Sequence, residues 1–263
     1  MEIHLQGNPH LNIMKILCFH YKELISYGLL DDNYVRVIKG SPFSHIKVTL
    51  QKIPLSKINF LPPVNPTKII LVGLNYKDHA RELKMQVPRG PVIFLKPTTT
   101  LIGHGGTVIY PEGVNQLDYE AELAVVIAKE CKNINEAAAK KYIFGYTCLN
   151  DITARDIQKK DIQWTRAKSF DSFCPLGPWI ETELKPQNLE IKSFLNGKLK
   201  QSSSTANLIF SVPYLISFIS KVMKLFPGDI ISTGTPYGVG PMHRGDIVEV
   251  EIENIGRLKN YIK

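Results

Sequence analysis

The chain has 263 residues, of which 44% are hydrophobic and 21% are charged, and its formal net charge at pH 7 is +8. This length suits one large domain or one main domain with a small appendage, and the hydrophobic fraction is ample for a buried core. The longest apolar runs, such as residues 69–74, stop far short of the roughly 18 residues that a membrane-spanning helix needs, which excludes a helical membrane span.

The positive charge is scattered along the chain. The tightest clusters of basic residues are only the pairs Lys140-Lys141 and Lys159-Lys160, and no helix-turn-helix, RNP-like or basic-tail pattern accompanies them. A basic nucleic-acid-binding module is therefore the alternative that charge alone supports. The distribution favours a small anionic substrate, with no nucleic acid and no membrane as partners.

The first residues and the cysteines bear on location. Residues 1–17 lack both a basic n-region and a continuous apolar h-region, which predicts no secretory signal and a cytoplasmic protein. Four cysteines lie far apart, without a C-x-x-C pair or histidines at zinc spacing. This spacing predicts reduced thiols and neither a disulfide framework nor a zinc site.

The N-terminal part predicts a small β-rich unit over residues 1–60, of which 1–13 form a loose extension. Its short alternating stretches are residues 14–19, 23–27, 34–38 and 45–50, separated by Gly, Asp-Asp and Ser-Pro turn signals. A proline-rich joint follows at 61–67 and marks the predicted domain boundary. Residues 68–263 then form the second, larger domain.

Strands dominate the larger domain as well. In chain order the patterns predict a strand at 68–75, a short polar helix at 76–85, strands at 117–128 and 143–150, helices at 134–142 and 205–225, and a terminal strand at 246–256. The fold class predicted is α+β, mainly β.

Two acids, Glu120 and Glu122, lie in the predicted strand LDYEAELAVVIA. Side chains two apart in a strand share one face, so the two carboxylates repel each other. Burial requires a positive partner between them, which could be a metal ion or a Lys or Arg side chain. The alternative is an edge strand whose acidic face is simply solvated.

Asp151 ends the predicted strand at 143–150 and could complete a triad of carboxylates. Three carboxylate oxygens suit Mg²⁺ or Mn²⁺, and the lack of nearby Cys and His argues against zinc. The sequence therefore favours a hard divalent cation held by Glu120, Glu122 and Asp151.

Three further patterns accompany these acids. His79 and Glu82 are spaced i, i+3 on a predicted helix, either as a general base with its orienting carboxylate or as an ordinary surface pair. Arg155 and Gln158 share a helical face after Asp151, and Lys168 is either functional or solvated. Residues 232–240, STGTPYGVG, are rich enough in glycine to bind an anion through backbone N–H groups, with a plain turn as the alternative.

Taken in this order, the segments resemble the fumarylacetoacetate hydrolase family, in particular its branch of acylpyruvases and oxaloacetate decarboxylases or tautomerases. The resemblance covers residues 68–263 and rests on VGLNYKDHARE, FLKPTTTLIGHGG, LDYEAELAVVI, GYTCLNDITARDIQ, WTRAKSFDSFCPLGPWI and PGDIISTGTPYGVGP. Residues 1–60 match only as the small variable N-terminal unit that such proteins carry.

The resemblance implies a mixed β-sandwich roll, a homodimer and a set of residue roles. It implies that Glu120, Glu122 and Asp151 bind Mg²⁺ or Mn²⁺. It also implies a catalytic dyad, His79 and Glu82, on a mobile lid helix. Substrate contacts are implied at Lys168, Gln158 and Thr235, with Arg155 in a supporting position, and Lys96 matches the pattern without an assigned role.

The activity expected from the resemblance is metal-dependent hydrolytic C–C cleavage of acylpyruvate-type 2-oxo acids. Water activated by His79 would attack the distal carbonyl, and the charge of the departing pyruvate enolate would be balanced by the metal and Lys168. The alternatives are oxaloacetate decarboxylation or tautomerisation, isomerisation of 2-hydroxyhepta-2,4-diene-1,7-dioate, and hydration or dehydration of 2-oxo acids.

Overall fold

β-Strands carry most of the regular structure in the computed structural model, which describes residues 14–44 and 46–263. The predicted loose extension at 1–13 lies outside the described residues. The N-terminal strands are β1 (Lys15–Tyr21), β2 (Leu24–Asp31), β3 (Tyr34–Lys39), β4 (Lys47–Pro54) and β5 (Asn59–Leu61). The four alternating stretches predicted in this part therefore correspond to strands, although β4 begins at Lys47 and the predicted start, residue 45, is not described.

The remaining strands are short and numerous. They are β6 (Ile69–Gly73), β7 (Val92–Lys96), β8 (Leu101–Ile102), β9 (Thr107–Val108), β10 (Leu117–Tyr119), β11 (Ala121–Ile127), β12 (Ile143–Asn150), β13 (Thr153–Ala154), β14 (Cys174–Glu181), β15 (Glu190–Leu195), β16 (Lys198–Ser204), β17 (Ile230–Ser232), β18 (Gly240–Met242), β19 (Ile247–Ile252) and β20 (Gly256–Ile262).

The helices are short apart from the last one. They are α1 (Lys77–Glu82), α2 (Glu136–Ala139), α3 (Arg155–Lys160), α4 (Thr165–Lys168) and α5 (Val212–Val222), and 3-10 turns lie at Leu55–Lys57, Thr98–Thr100, Lys140–Tyr142 and Thr205–Asn207. In the part of the chain that the structure describes, no helix has the length and apolar character needed to cross a membrane.

The strands form three sheets. A twelve-stranded sheet runs in the order β4-β3-β2-β1-β14-β12-β11-β17-β6-β7, with β5 on β1 and β8 on β14. A five-stranded sheet has the order β16-β15-β19-β20-β9, and a three-stranded sheet has the order β13-β10-β18. The predicted mainly β, α+β fold is confirmed. The N-terminal strands join the large sheet through β1, which pairs antiparallel with β14.

The main core lies between the large sheet, the five-stranded sheet and the helices α2 and α5. Alternation along β11 explains how this strand serves two cores at once. Leu123 and Val125 face the main core, whereas Ala124 and Val126 face a second apolar cluster on the opposite side of the sheet. Glu122 lies on the same face of β11 as Ala124 and Val126, so this acid occupies an otherwise apolar face.

Three predicted elements differ most from the observed ones, and local contacts explain two of these differences. The strand predicted at 117–128 is interrupted at Glu120, where β10 leaves for a different sheet from β11. The helix predicted at 205–225 begins only at Val212, because the Ser211 side chain accepts the backbone N–H of Tyr214 and a proline occupies the first turn. The helix predicted at 134–142 shrinks to α2 and one 3-10 turn.

Candidate metal centre and active site

The three predicted metal-binding acids are brought together by one antiparallel ladder. Ala121 of β11 pairs with Asn150 of β12, so Glu120 and Glu122 flank the position opposite the residue that precedes Asp151. The Asp151 N–H also donates to the Glu120 carbonyl oxygen at 2.9 Å. One carboxylate oxygen from each acid lies within 4.8 Å of the others. All three acids are buried, so the alternative of a solvated acidic face is wrong.

Glu120 is paired with two cations. Lys168 Nζ donates to Glu120 Oε2 at 2.9 Å, and Arg155 Nη2 donates to Glu120 Oε1. Burial alone would raise the pKa of Glu120, but these two cations outweigh burial and lower its pKa well below the ordinary range. The positive partner that the sequence requires for this acid is therefore supplied by the chain itself.

Asp151 lies between two buried lysines. Lys168 Nζ is 2.5 Å from Asp151 Oδ2, and Lys96 Nζ is 2.6 Å from Asp151 Oδ1. Lys96 also donates to the carbonyl oxygens of Ile152 and Phe173 at 3.0 and 2.5 Å. The alternative of a solvated Lys168 is therefore wrong, since this residue is only 2% exposed. The sequence assigned no role to Lys96, which lies at the end of β7 and holds Asp151, the third acid of the triad, in place.

Glu122 differs from the other two acids. In the described ranges 14–44 and 46–263, no Lys or Arg side chain forms a salt bridge with it; its Oε2 accepts hydrogen bonds from Ser232 Oγ and, at 2.9 Å, from the Gly234 N–H. Burial, followed by the charge of Asp151, raises the pKa of Glu122 to about 8. When it is ionised, this acid carries the negative charge that the surrounding cations leave uncompensated.

The charge count supports a divalent cation at the triad. The connected side chains comprise four carboxylates and three cations: Asp118, Glu120, Glu122, Asp151, Lys96, Arg155 and Lys168. The net charge is therefore −1 when all are ionised. The converging donors are all carboxylate oxygens, which Mg²⁺ and Mn²⁺ prefer. The residues present therefore fit a hard divalent ion. Lys168 also contacts two of the three carboxylates that would bind this ion.

Arg155 connects the triad to a fourth acid that the sequence patterns did not single out. Its Nε donates to Asp118 Oδ2 at 2.7 Å, and its Nη1 donates to Gln158 Oε1 at 2.5 Å. Asp118 is buried and lies two residues before Glu120, so a D-x-E-x-E spacing was the signal available. Because Gln158 uses its oxygen for Arg155, its Nε2 group remains to donate to another acceptor.

The predicted dyad is formed on α1. His79 Nδ1 lies 2.8 Å from Glu82 Oε2, and the Glu82 Oε1 accepts the backbone N–H of Gly238 at 3.1 Å. His79 is 9% exposed, whereas the Glu82 side chain is 38% exposed, so the imidazole is buried while its carboxylate partner reaches solvent. A carboxylate that accepts from Nδ1–H leaves Nε2 as the basic nitrogen of the imidazole.

The glycine loop, residues 233–239, binds two of these carboxylates. Its Gly234 and Gly238 N–H groups donate to Glu122 and Glu82, respectively. Both glycines have positive φ, and a Cβ would lie 2.9 Å from the Val72 carbonyl oxygen at Gly234 and 2.6 Å from that of Lys200 at Gly238. The alternative of a plain turn is therefore wrong, and the anions bound here are the chain's own side chains.

A cavity of about 340 Å³ connects the triad with the dyad. Eight of the nine predicted site residues line it: His79, Glu120, Glu122, Asp151, Arg155, Gln158, Lys168 and Thr235. Glu82 does not line it, and its carboxylate contacts His79 and Gly238 instead. Phe94 and Trp164 form part of its apolar wall, where Trp164 packs so closely on Gly73 that a Cβ there would approach its ring to 2.7 Å.

Comparison with known proteins matches almost the whole described chain. Residues 68–263 match the family profile described as fumarylacetoacetate (FAA) hydrolase C-terminal, and residues 14–63 match the profile described as Rv2993c-like, N-terminal. The chain is 44% identical over 197 residues to oxaloacetate tautomerase FAHD1, mitochondrial, from Bos taurus, an alignment that covers 73% of this chain and 89% of the relative.

Two solved structures of enzymes are similar in fold. The 5-carboxymethyl-2-hydroxymuconate delta-isomerase from Mycobacterium smegmatis has a TM-score of 0.89 and 40% identity, over 95% of this chain and 99% of that one. The maleylpyruvate hydrolase from Sphingobium sp. SYK-6, in complex with manganese (II) ion and pyruvate, has a TM-score of 0.80 and 29% identity, over 95% and 98%. The chain belongs to the fumarylacetoacetate hydrolase family.

Proposed function

We propose that the chain is a Mg²⁺- or Mn²⁺-dependent enzyme for small anionic 2-oxo acids, in which His79 moves a proton at the carbon next to the 2-oxo group. The observation that carries this proposal is that His79, which Glu82 contacts at Nδ1, is buried and lines the same cavity as the acidic triad. A base that is oriented by a carboxylate can transfer a proton, and a cluster of carboxylates can bind a divalent ion.

Glu120, Glu122 and Asp151 would hold the ion, which supplies Lewis-acid polarisation of the 2-oxo oxygen when it is bound. The chain's own donors then orient the anion. Lys168 supplies a buried positive charge beside the same carboxylates. Gln158 Nε2 on α3 and the Thr235 hydroxyl in the glycine loop offer neutral donors to the cavity, which suits a substrate carboxylate.

The first candidate reaction is tautomerisation or double-bond isomerisation of a 2-oxo dicarboxylic acid. His79 Nε2 takes a proton from C3, the electrons of the C–H bond become the C2–C3 double bond, and the C2 oxygen takes up a proton to complete the enol. The reverse sequence regenerates the 2-oxo acid, so no water is consumed. The greater identity to a tautomerase and an isomerase, at 44% and 40%, favours this reaction over cleavage.

The second candidate is hydrolytic C–C cleavage of an acylpyruvate. Here His79 takes a proton from water, whose oxygen attacks the distal carbonyl carbon. The C3–C4 bond then breaks, leaving a carboxylic acid and the pyruvate enolate, which is protonated at C3. The maleylpyruvate hydrolase relative favours keeping this candidate. Both reactions use the same base, and oxaloacetate decarboxylation would pass through the same enolate without an attacking water.

A panel of substrates with Mg²⁺, Mn²⁺ or a chelator separates these candidates. The panel contains oxaloacetate in its enol and keto forms, acetylpyruvate, fumarylpyruvate and a 2-hydroxydienoate, with loss of enol absorbance and appearance of pyruvate followed together. Metal-dependent loss of enol absorbance without pyruvate supports tautomerisation, and stoichiometric pyruvate from an acylpyruvate supports cleavage. A chain that turns over none of these acids with either metal contradicts the proposal.

Several sequence predictions remain proposals alongside the reaction. These are the homodimer, the cytoplasmic location, the lack of nucleic-acid and membrane partners, and the division into units at 1–60, 61–67 and 68–263. Light scattering on the purified chain tests the dimer, and a nucleic-acid binding assay at two salt concentrations tests the basic-module alternative. Salt-sensitive retention on nucleic acid without turnover would favour that alternative.

A further inference from the structure

Gln201 on β16 forms a buried bridge that the site residues described above do not explain. The Ala121 N–H donates to Gln201 Oε1 at 3.0 Å, while Gln201 Nε2 donates to Thr235 Oγ1 at 2.8 Å and to the Pro236 carbonyl oxygen at 2.9 Å. The residue is fully buried, at 0% exposure. Replacing a buried polar side chain whose donor and acceptor groups are all hydrogen-bonded costs stability. Such a side chain also holds its hydrogen-bond partners in place.

The orientation of the Gln201 amide is determined by two backbone groups. The Ala121 N–H can only donate, so the side-chain atom that faces it must be the oxygen. The Pro236 carbonyl can only accept, so the atom that faces it must be the nitrogen. A flipped amide would place two acceptors together at Pro236 and two donors together at Ala121. Thr235 Oγ1 therefore receives a hydrogen bond from Gln201 and acts as its acceptor.

This contact decides what the Thr235 hydroxyl can offer to a ligand. A hydroxyl has one proton to donate, and in the part of the chain that is described no protein acceptor takes it from Thr235. Thr235 lines the cavity that contains the triad. With an acceptor position already occupied by Gln201, its proton is available to an acceptor in the cavity, as an anionic oxygen requires.

The other end of the bridge is attached to the strand that carries the triad. Ala121 lies directly between Glu120 and Glu122, and Gln201 is the side chain that satisfies its N–H where β10 and β11 separate. One side chain thus fixes the Thr235 hydroxyl relative to two of the candidate metal ligands. A 2-oxo acid has its carboxylate and its 2-oxo oxygen on adjacent carbons, so recognition of both oxygens requires such a fixed separation.

We propose that Gln201 is a positioning residue for substrate binding, which holds the Thr235 hydroxyl with its proton directed into the cavity as a donor to the carboxylate of a 2-oxo acid. This inference rests on the proposed function, because it takes a 2-oxo acid as the ligand. Gln201 itself does not contact the ligand. A purely structural bridge would instead stabilise β10, β11 and the glycine loop without any effect that depends on the Thr235 hydroxyl.

A double-mutant cycle between Gln201 and Thr235 tests the proposal. Q201M removes both the donor to Thr235 and the acceptor for the Ala121 N–H at similar side-chain volume. T235V removes the hydroxyl, and T235S retains it as the conservative control. KM and kcat are measured on the substrate that the wild-type chain accepts, and the affinity for pyruvate is measured by titration into the Mn²⁺-loaded chain. Mn²⁺ affinity and thermal unfolding report on the metal site and on the fold.

We expect Q201M and T235V each to raise KM and the pyruvate Kd by about tenfold, the loss expected for one hydrogen bond to a charged group. kcat and Mn²⁺ affinity should change by less than about threefold, because neither side chain is a metal ligand or the base. T235S, which keeps the hydroxyl but loses a methyl group, should recover most of the KM increase and of the pyruvate affinity lost in T235V. The double variant should be no worse than the worse single variant, since the hydroxyl is what Gln201 orients.

An equal rise in KM when Q201M is introduced into the wild-type and the T235V backgrounds would overturn the positioning role, as would a loss of thermal stability with unchanged KM. If Q201M does not fold, Q201N, which keeps a polar group for Ala121 but is one methylene shorter, is placed in the same cycle. A wild-type chain that binds pyruvate without turning over any acid contradicts the proposed reaction. The double-mutant cycle can then still be measured through the affinity for pyruvate. A wild-type chain that does not bind pyruvate contradicts both.

Discussion

Glu82 spans from the imidazole of His79 to the backbone of Gly238, with one carboxylate oxygen for each partner, at 2.8 and 3.1 Å. Both partners donate when His79 carries its proton on Nδ1, so the carboxylate selects the tautomer whose Nε2 is basic. The same contact connects α1 to the glycine loop. Glu82 therefore selects the tautomer of the base and connects the helix that carries it to the glycine loop.

Glu82→Gln should slow turnover by about 10²- to 10⁴-fold, the range typical of general acid–base contributions. The amide has only one oxygen, so either the imidazole or the Gly238 N–H faces an NH₂ group, and the basic tautomer is no longer selected. Single-turnover rates on the accepted 2-oxo acid give the measurement. Mn²⁺ affinity should stay within about threefold of the wild type, because Glu82 is not part of the triad. Glu112→Gln, at an exposed loop acid, is the control for loss of one carboxylate. Unchanged turnover in Glu82→Gln would remove the dyad from the reaction.

Glu122→Gln should separate metal binding from folding. Glu122 has no cation partner in the described residues, and its Oε2 accepts from Ser232 and Gly234, so an amide oxygen can keep both hydrogen bonds. Removal of a buried charge that lies beside Asp151 should leave the metal-free chain at least as stable as the wild type at pH 8 to 9. Metal affinity and activity should be lost.

Titration calorimetry with Mn²⁺ and thermal unfolding in chelator give the two measurements for Glu122→Gln. Glu120→Gln is the instructive comparison, because Glu120 pairs with Lys168 and Arg155. That variant should lose metal binding and also lose stability, since it leaves the buried Lys168 and the partly buried Arg155 short of a counter-charge. Mn²⁺ affinity equal to the wild type in either variant would count against the triad.

The pKa of Glu122, raised to about 8 by burial and by Asp151, predicts how metal binding depends on pH. Below pH 8 the folded chain holds a proton that the incoming ion must displace, so Mn²⁺ affinity should fall by up to about tenfold for each pH unit below 8 and level off above it. Titrations between pH 6.5 and 9 in buffers of different ionisation enthalpy report the affinity and the proton released. A flat profile, or release of no proton at pH 7, would contradict this assignment.

The same shift predicts the pH dependence of stability in the metal-free chain. The ordinary pKa of this carboxyl is 4.5 and the folded value is about 8, so between these limits the folded state binds a proton that the unfolded state has released. The free energy of unfolding should therefore fall as pH rises from about 4.5 to 8. Urea unfolding in chelator measures this slope. Glu122→Gln, which does not titrate, should lack this contribution to the slope.

The fold class and the spacing of the candidate site residues could be read from local patterns, whereas several contacts around the site could not. Period-two spacing is enough to place Glu120 and Glu122 on one face, and i, i+3 spacing is enough to join His79 to Glu82. Lys96 and Gln201 escaped functional assignment because their roles depend on strand order. Lys96 reaches Asp151 from β7, and Gln201 reaches Ala121 from a different sheet. No local pattern encodes such contacts.

One missed element did have a local signal. The hairpin of β15 and β16 turns at Asn196-Gly197, where both residues have positive φ, at 52° and 74°. Asn-Gly between alternating stretches is a strong hairpin signal, and it would have placed β16, and thus Gln201, on a strand. The break at Glu120 is different in kind, because the exit of β10 into the three-stranded sheet depends on pairing with β13 and β18.

Asp78 offers a last test, of how α1 is held over the cavity. Its Oδ1 accepts the His79 N–H at 2.8 Å, and its Oδ2 accepts from Ser203 Oγ and from Asn207 Nδ2 at 3.4 Å. Asp78→Asn places an NH₂ group against these two donors, so the attachment of α1 to the end of β16 should weaken. We expect kcat/KM to fall by about tenfold, because a small displacement of His79 is enough to misplace the base.

Steady-state kinetics of Asp78→Asn, together with Mn²⁺ titration, provide the check, and Ser203→Ala should show a smaller effect in the same direction since it removes only one of the donors. Glu136→Gln is the matched control, because Glu136 also lies in the first turn of a helix, α2, away from the cavity. Its kinetics should match the wild type, which separates the attachment from the general effect of an acid at a helix N-terminus. Equal kinetic losses in Asp78→Asn and Glu136→Gln would assign the effect to helix stability. The hydrogen bonds from Asp78 to the end of β16 would then not be needed to keep His79 in place.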